Sequence, residues 1–144
     1  KISEHNETER TTESPYDFCY FVLTDDRKLL YDRINLRVDQ MVQDGLLEEV
    51  QSLKERGYTK DMVSMQGLGY KEILDYLDGD CTLEETIYIL KRDTRHFAKR
   101  QLTWFRRERD EIWIDKSQYD HNEAKVVDMM ITKIEERIPY ICLK

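Results

Sequence analysis

Residues 91–109 constrain the chain most, because they dictate both a long helix and the sign of its outer face. The run reads KRDTRHFAKRQLTWFRRER. Eight Lys or Arg stand against Asp93 and Glu108, a local excess of six positive charges. The whole chain has a formal charge of −7, so the remaining residues carry −13. At roughly 100° per residue, Lys91, Arg92, Arg95, Lys99, Arg100, Arg106, Arg107 and Arg109 share half of a helix circumference. Leu83, Ile87, Leu90, Phe97, Trp104 and Phe105 share the other half, and Leu102 sits near the basic edge. Thr82 and Glu85 have capping-box spacing at the start. The pattern predicts one amphipathic helix over about 83–107, on the order of 35 Å long, with Phe97 and Trp104 inward. Solvated charged faces normally mix signs. A nearly pure cationic face on an acidic protein predicts a surface that meets a polyanion.

The rest of the chain reads as helices around two short apolar runs. Residues 1–15 are polar and predict a flexible lead-in. The run FCYFVL at residues 18–23 predicts a strand buried on both faces, as in a parallel sheet, with Thr24 or Asp25 capping the next helix. Helices are predicted over about 27–43, stopped by Gly45, and 46–56, stopped by Gly57. A loop with two glycines spans residues 64–70, and a short helix covers 71–77. EIWID at 111–115 predicts a second strand. A last helix covers 123–137 and ends before Pro139. The expected fold is mostly α-helical with about two short strands. Two strands do not make a self-sufficient sheet, so the chain reads as the latter part of a larger α/β domain.

Composition narrows the function classes. No apolar run is long enough to span a membrane as a helix, and no signal-peptide pattern is present. Cys19, Cys81 and Cys142 are scattered and odd in number, which predicts reduced thiols in core packing. His5, His96 and His121 lack metal-site spacing. There is no G-x-x-x-x-G-K-S/T loop, no H-E-x-x-H and no G-x-S-x-G, so no catalytic set is complete within the chain. Two places could bind an anion besides the basic run. Arg33 and Arg37 lie one turn apart at the edge of an apolar stripe. Arg37 could pair with Asp32 or Asp39, or could present a fixed guanidinium to phosphate, and the spacing leaves both open. Gly67 and Gly69 let backbone approach a ligand closely ahead of a helix start, although two such glycines also suit an ordinary connection.

Four blocks resemble the C-terminal half of the tRNA dimethylallyltransferase (isopentenyltransferase) family. They are LYDRINLRVD at residues 30–39, GLLEEV at 45–50, SMQGLGYKE at 64–72 and KRDTRHFAKRQLTWFR at 91–106. Their order and spacing agree with the family over roughly residues 15–115. The resemblance implies a parent with a P-loop-type parallel α/β core and an inserted helical domain. Residues 1–15 would then end the insertion, and 16–144 would form the C-terminal part of the catalytic domain. The implied reaction moves a dimethylallyl group from its diphosphate to N6 of the adenosine 3′ of the tRNA anticodon, flipped out of its loop. The implied parent is a monomeric cytoplasmic enzyme that uses Mg²⁺. The implied partners of this chain are the tRNA anticodon stem-loop, dimethylallyl diphosphate and the N-terminal half of the same enzyme. The family's phosphate loop, its general-base Asp and the Thr at the target base lie outside these blocks, so this chain alone is expected to be inactive. Residue by residue, Arg37 matches the arginine at the diphosphate. Asp61, Met62, Val63, Ser64, Met65 and Gln66 match one segment that contacts tRNA. Arg92, Asp93, Thr94, Arg95, His96, Phe97, Ala98 and Lys99 match another. Two other readings suit the cationic face: a non-catalytic RNA-binding module, and a helical domain that meets an acidic protein.

Overall fold

Capping chemistry places the helices where periodicity predicts them. In the computed structural model, which describes residues 16–140 apart from Arg109, β1 (Tyr20–Thr24) leads into α1 (Arg27–Gln43). The cap is Asp26 rather than Thr24 or Asp25. Its carboxylate accepts from the backbone N–H groups of Lys28 and Leu29, satisfying two donors of the first turn. Gly45 follows α1 with φ +102° and precedes α2 (Leu46–Glu55). A 3₁₀ turn (Val63–Gln66), absent from the sequence reading, then leads to α3 (Tyr70–Leu77). The long helix α4 spans Leu83–Phe105, two residues short of the predicted end. β2 (Glu111–Asp115), a second 3₁₀ turn (Lys116–Tyr119) and α5 (Glu123–Arg137) complete the order. The expected lead-in at residues 1–15 and Cys142 lie outside the described residues. Cys19 and Cys81 are free, half-buried thiols.

The chain divides into two units. The first comprises residues 25–108 and holds α1 to α4. Val38 of α1, Leu46 and Val50 of α2, Met65 of the 3₁₀ turn, Ile73 and Leu74 of α3 and Leu90 of α4 form its buried core. Met41, Leu53, Leu68, Leu77 and Ile87 pack around them. Each helix contributes a few large apolar side chains, so non-directional burial sets the packing.

The second unit comprises the remaining residues and holds β1, β2 and α5. The strands are parallel and in register, with Val22 opposite Trp113 and Leu23 opposite Ile114. Val22, Ile114, Val126 and Ile138 are its buried apolar residues. Leu23 is 51% exposed and Val127 50% exposed, so part of each predicted apolar run lacks cover. Among the described residues the sheet has two strands, and the described chain is mostly helical, as expected.

Candidate anion and nucleic-acid interface

The basic helix begins at a complete capping box. The Thr82 hydroxyl oxygen accepts from the Glu85 N–H at 3.2 Å. The Glu85 carboxylate accepts from the Thr82 N–H at 2.8 Å and from its hydroxyl at 2.9 Å, which holds the Glu85 carboxyl below its usual range. From there α4 buries Thr86 and Leu90 and half-buries Ile87, Thr94, Ala98, Leu102 and Phe105.

That stripe is not the one predicted for the second half of the helix. Phe97 is 43% exposed and Trp104 is 56% exposed, while Leu102 is half-buried. The cause is the neighbour. Lys91 pairs with Asp39 of α1 at 2.6 Å, and Arg95 donates to the Asn35 side-chain oxygen at 2.6 Å. One edge of the cationic arc therefore faces α1. On a 3.6-residue helix this turns Phe97 and Trp104 outward, beside the remaining cations.

The cations thus fall into two groups. Lys91, Arg92 and Arg95 have protein partners. The Arg92 guanidinium lies 2.8 Å from Asp93, holding the Asp93 carboxyl below its ordinary range. Among the described residues Lys99, Arg106 and Arg107 make no ion pair, and Arg100 lies over the Phe97 ring at 5.6 Å. A concavity of about 590 Å³ runs along this outer face, lined by His96, Lys99, Arg100, Thr103, Trp104 and Arg107. Cations beside exposed aromatic faces suit an anion that also carries planar groups.

The glycine loop ends close to this helix. Gly69, with φ +102°, opens α3, and its N–H donates to the Glu72 carboxylate at 2.8 Å. Glu72 is 4% exposed, and its second oxygen lies 3.3 Å from the Lys71 ammonium. Besides Arg92, which dominates, Lys71 adds to the lowering of the Asp93 carboxyl, so the start of α3 lies near the middle of α4.

The residues matched to RNA contact divide by burial. Asp61, Met62, Val63, Ser64 and Gln66 are exposed, Val63 by 86%. Met65 is 1% exposed and belongs to the core, so its side chain anchors the loop and only its exposed neighbours face outward. On α4, Arg92, His96, Phe97 and Lys99 are exposed, whereas Asp93, Thr94, Arg95 and Ala98 are half-buried. The Thr94 hydroxyl donates to the Leu90 carbonyl at 2.7 Å.

Arg37 is exposed, and among the described residues it has neither a hydrogen bond nor an ion pair. Its two predicted partners behave differently: Asp39 is taken by Lys91, and Asp32 is exposed. Arg33, one turn earlier, is instead paired with Asp25. Asn35 and Asp39 face α4, and Arg37 lies about half the circumference of α1 away from them. Arg37 and the α4 cations are therefore not brought together on one face. Among the described residues no group of three or more His, Cys, Asp or Glu could hold a metal ion. No helix of the described residues is long and apolar enough to cross a membrane.

The described chain thus holds a helical unit with cations on an outer face and a second unit built on a parallel strand pair. Residues 1–108 match the family described as IPP transferase. A tRNA dimethylallyltransferase of Lachnoclostridium phytofermentans is 58% identical over 137 residues, which is 95% of this chain and 44% of that protein. One of Acetivibrio thermocellus is 52% identical over 128 residues. The crystal structure of the tRNA isopentenylpyrophosphate transferase of Bacillus halodurans superimposes with a TM-score of 0.76 at 45% identity, covering 94% of this chain and 45% of that one. The Staphylococcus epidermidis structure superimposes with a TM-score of 0.81 at 36% identity. The chain belongs to the IPP transferase family. It spans a little under half the length of the relatives it matches.

At this interface two further features are not visible in the sequence. One is the outward turn of Phe97 and Trp104. The other is a cluster at the start of the Asp61 to Gln66 loop, where Lys60 meets Asp75, Asp78 and Asp80. Its members lie 15 to 20 residues from Lys60, beyond any local pattern.

Proposed function

We propose that this chain is the C-terminal part of a tRNA dimethylallyltransferase. The reaction would move a dimethylallyl group from dimethylallyl diphosphate to N6 of the adenosine 3′ of the anticodon. Membership of the IPP transferase family over residues 1–108 carries the reading. In this reading residues 1–15 end a helical insertion and residues 16–144 complete a P-loop-type catalytic domain whose other half precedes them. The cationic outer face of α4, with the exposed residues of the 61–66 loop, holds the phosphodiester backbone of the anticodon stem-loop. Lys99 and His96 do so directly, and Arg92 does so while retaining Asp93. Phosphate contacts of this kind fix the position of RNA without reading its sequence.

Arg37 has the separate task of binding the diphosphate. As the carbon–oxygen bond to the diphosphate breaks and the bond to N6 forms, negative charge collects on the leaving group. An exposed guanidinium without a protein partner is free to neutralise it. That Arg37 and the α4 cations lie on different faces fits two anions held apart at the start of the reaction. In this reading the proton lost from N6 goes to a base in the preceding half, and Mg²⁺ would be held there beside the diphosphate.

The test is transfer itself. The 144-residue chain is incubated with dimethylallyl diphosphate, Mg²⁺ and unmodified tRNA, alone and together with the N-terminal half of a family member. Mass spectrometry of the digested tRNA should show the prenylated adenosine only in the second mixture. Product from the chain alone would mean that the missing loop and base are not needed. Product from neither, with no RNA bound, would remove the enzyme reading.

A further inference from the structure

The loop that carries Met62, Val63, Ser64 and Gln66 is held very unequally at its two ends. At its far end Met65 is sealed in the core and the Glu72 carboxylate grips the Gly69 N–H. At its near end the chain leaves α2 through Gly57, at φ +89°, with the Gly57 and Tyr58 N–H groups bonded back to the Lys54 and Leu53 carbonyls at 2.9 and 3.1 Å, and beyond Tyr58 it turns on a bond from the Met62 N–H to the Thr59 carbonyl at 3.1 Å. Among the described residues the only side chain that ties residues 58–64 to the rest of the unit by an ion pair or hydrogen bond is Lys60. Its ammonium lies 2.7 Å from Asp75, 2.7 Å from Asp78 and 3.4 Å from Asp80. Asp78 is also held by Lys54 at 2.6 Å, and Lys54 donates to the Leu77 carbonyl at 2.9 Å. The cluster thus joins the end of α2, the start of the loop and the end of α3. Hydrogen bonds from Lys54 and Lys60 draw the Asp78 carboxyl down to about 2, and the three carboxylates push Lys60 well above its ordinary range.

We propose that Lys60 is a positioning residue for RNA: gripping Asp75, Asp78 and Asp80, it holds the 61–66 loop where its exposed residues meet the anticodon stem-loop. The inference rests on the RNA reading above and adds a residue and a device to it. A single exposed ion pair would contribute little. One ammonium shared by three carboxylates, with a second ammonium behind, forms a network that restricts the loop in several directions at once. A loop that occupies its binding position for only a fraction of the time binds more weakly by that fraction.

This device predicts an effect opposite in sign to simple electrostatics. Replacing Asp75 and Asp78 by Ala removes two negative charges from a protein that binds a polyanion. Charge alone would then strengthen RNA binding. Loss of the grip weakens it. The experiment measures fluorescence anisotropy of a labelled, unmodified anticodon stem-loop RNA with the 144-residue chain, its Lys60→Met, Lys60→Arg and Asp75→Ala/Asp78→Ala variants. Both Lys60→Met and the double variant should raise Kd on the order of fivefold, as for a loop in place about a fifth of the time. The slope of log K against log salt should not change, and Lys60→Arg should recover most of the affinity, since a guanidinium also serves several carboxylates. Hydrogen exchange should quicken at the Met62 and Met65 amides, with a melting temperature shifted by no more than about 2 °C. Tighter binding by the double variant overturns the proposal. So does a Lys60→Met slope lower by about one, which would make Lys60 itself a phosphate contact. Failure of the unaltered chain to bind RNA overturns the reading beneath it, whereas wild-type affinity in Lys60→Met overturns the clamp alone.

Discussion

Arg33 and Arg37 lie one turn apart on α1, yet their surroundings give them different work. Arg33 is paired with Asp25, while Arg37 stands exposed without a partner among the described residues. A surface guanidinium that neutralises no local charge is available to a ligand, and it adds little to stability when removed. Arg37→Ala should therefore leave the melting temperature almost unchanged. In the enzyme assembled from both halves it should lower kcat by far more than it raises the Kd for tRNA, with a loss on the order of 3 kcal/mol of transition-state stabilisation. Arg37→Lys should recover only part, because an ammonium cannot make two parallel contacts to a diphosphate. Steady-state kinetics beside RNA binding decide the matter. Normal turnover with weakened tRNA binding would move Arg37 to the RNA surface.

The helix α4 shows how an element can be legible and yet be turned the wrong way. Its start at Thr82, its capping box and, to within two residues, its end at Phe105 follow from spacing along the sequence. Its inward arc does not. The apolar half predicted Phe97 and Trp104 in the core, whereas they are 43% and 56% exposed. Truncating them should accordingly cost much less than a buried-cavity penalty. Phe97→Ala and Trp104→Ala are expected to lower stability by about 1 kcal/mol or less in urea unfolding, against about 2–5 kcal/mol for Leu90→Ala. Leu90 is 2% exposed and sits in the core cluster. A Trp104→Ala loss as large as that of Leu90→Ala would return the ring to a buried site.

At the scale of the molecule, charge is segregated. An acidic chain of −7 carries Lys99, Arg100, Arg106 and Arg107, which make no ion pair among the described residues, close together at the end of one helix and just beyond it. Counting Lys99, Arg100, Arg106 and Arg107 as full phosphate contacts, and leaving out neutral His96 and Arg92, which keeps Asp93, RNA affinity should fall roughly 50- to 150-fold between about 50 and 200 mM salt. Each single replacement by Ala at Lys99 or Arg107 should lower the salt slope by roughly one unit. Arg95→Ala should change it less, since Arg95 is already engaged with Asn35. Titration with an acidic peptide of equal charge separates RNA binding from a preference for acidic proteins. Equal affinity for the peptide would favour the protein-partner reading.

Neighbours in sequence settled most of what the sequence could decide. Hydrogen bonds to i−4, caps three residues long and stripes of period 3.6 all lie within a turn or so, so five helices and two strands were readable to within a few residues. The four blocks of family resemblance likewise needed only order and spacing. Burial belongs to pairs of surfaces, and no segment contains its own partner. Arg95 meets Asn35 from 60 residues away and Lys91 meets Asp39, which fixes the roll of α4 and exposes its aromatics. Met65, inside a polar loop, became its anchor because the core needed a large apolar side chain there. Lys60 found three carboxylates that only the return of α3 beside α2 brings within reach. Local chemistry therefore determined which elements this chain makes, and tertiary packing alone decided which face of each was left for a ligand.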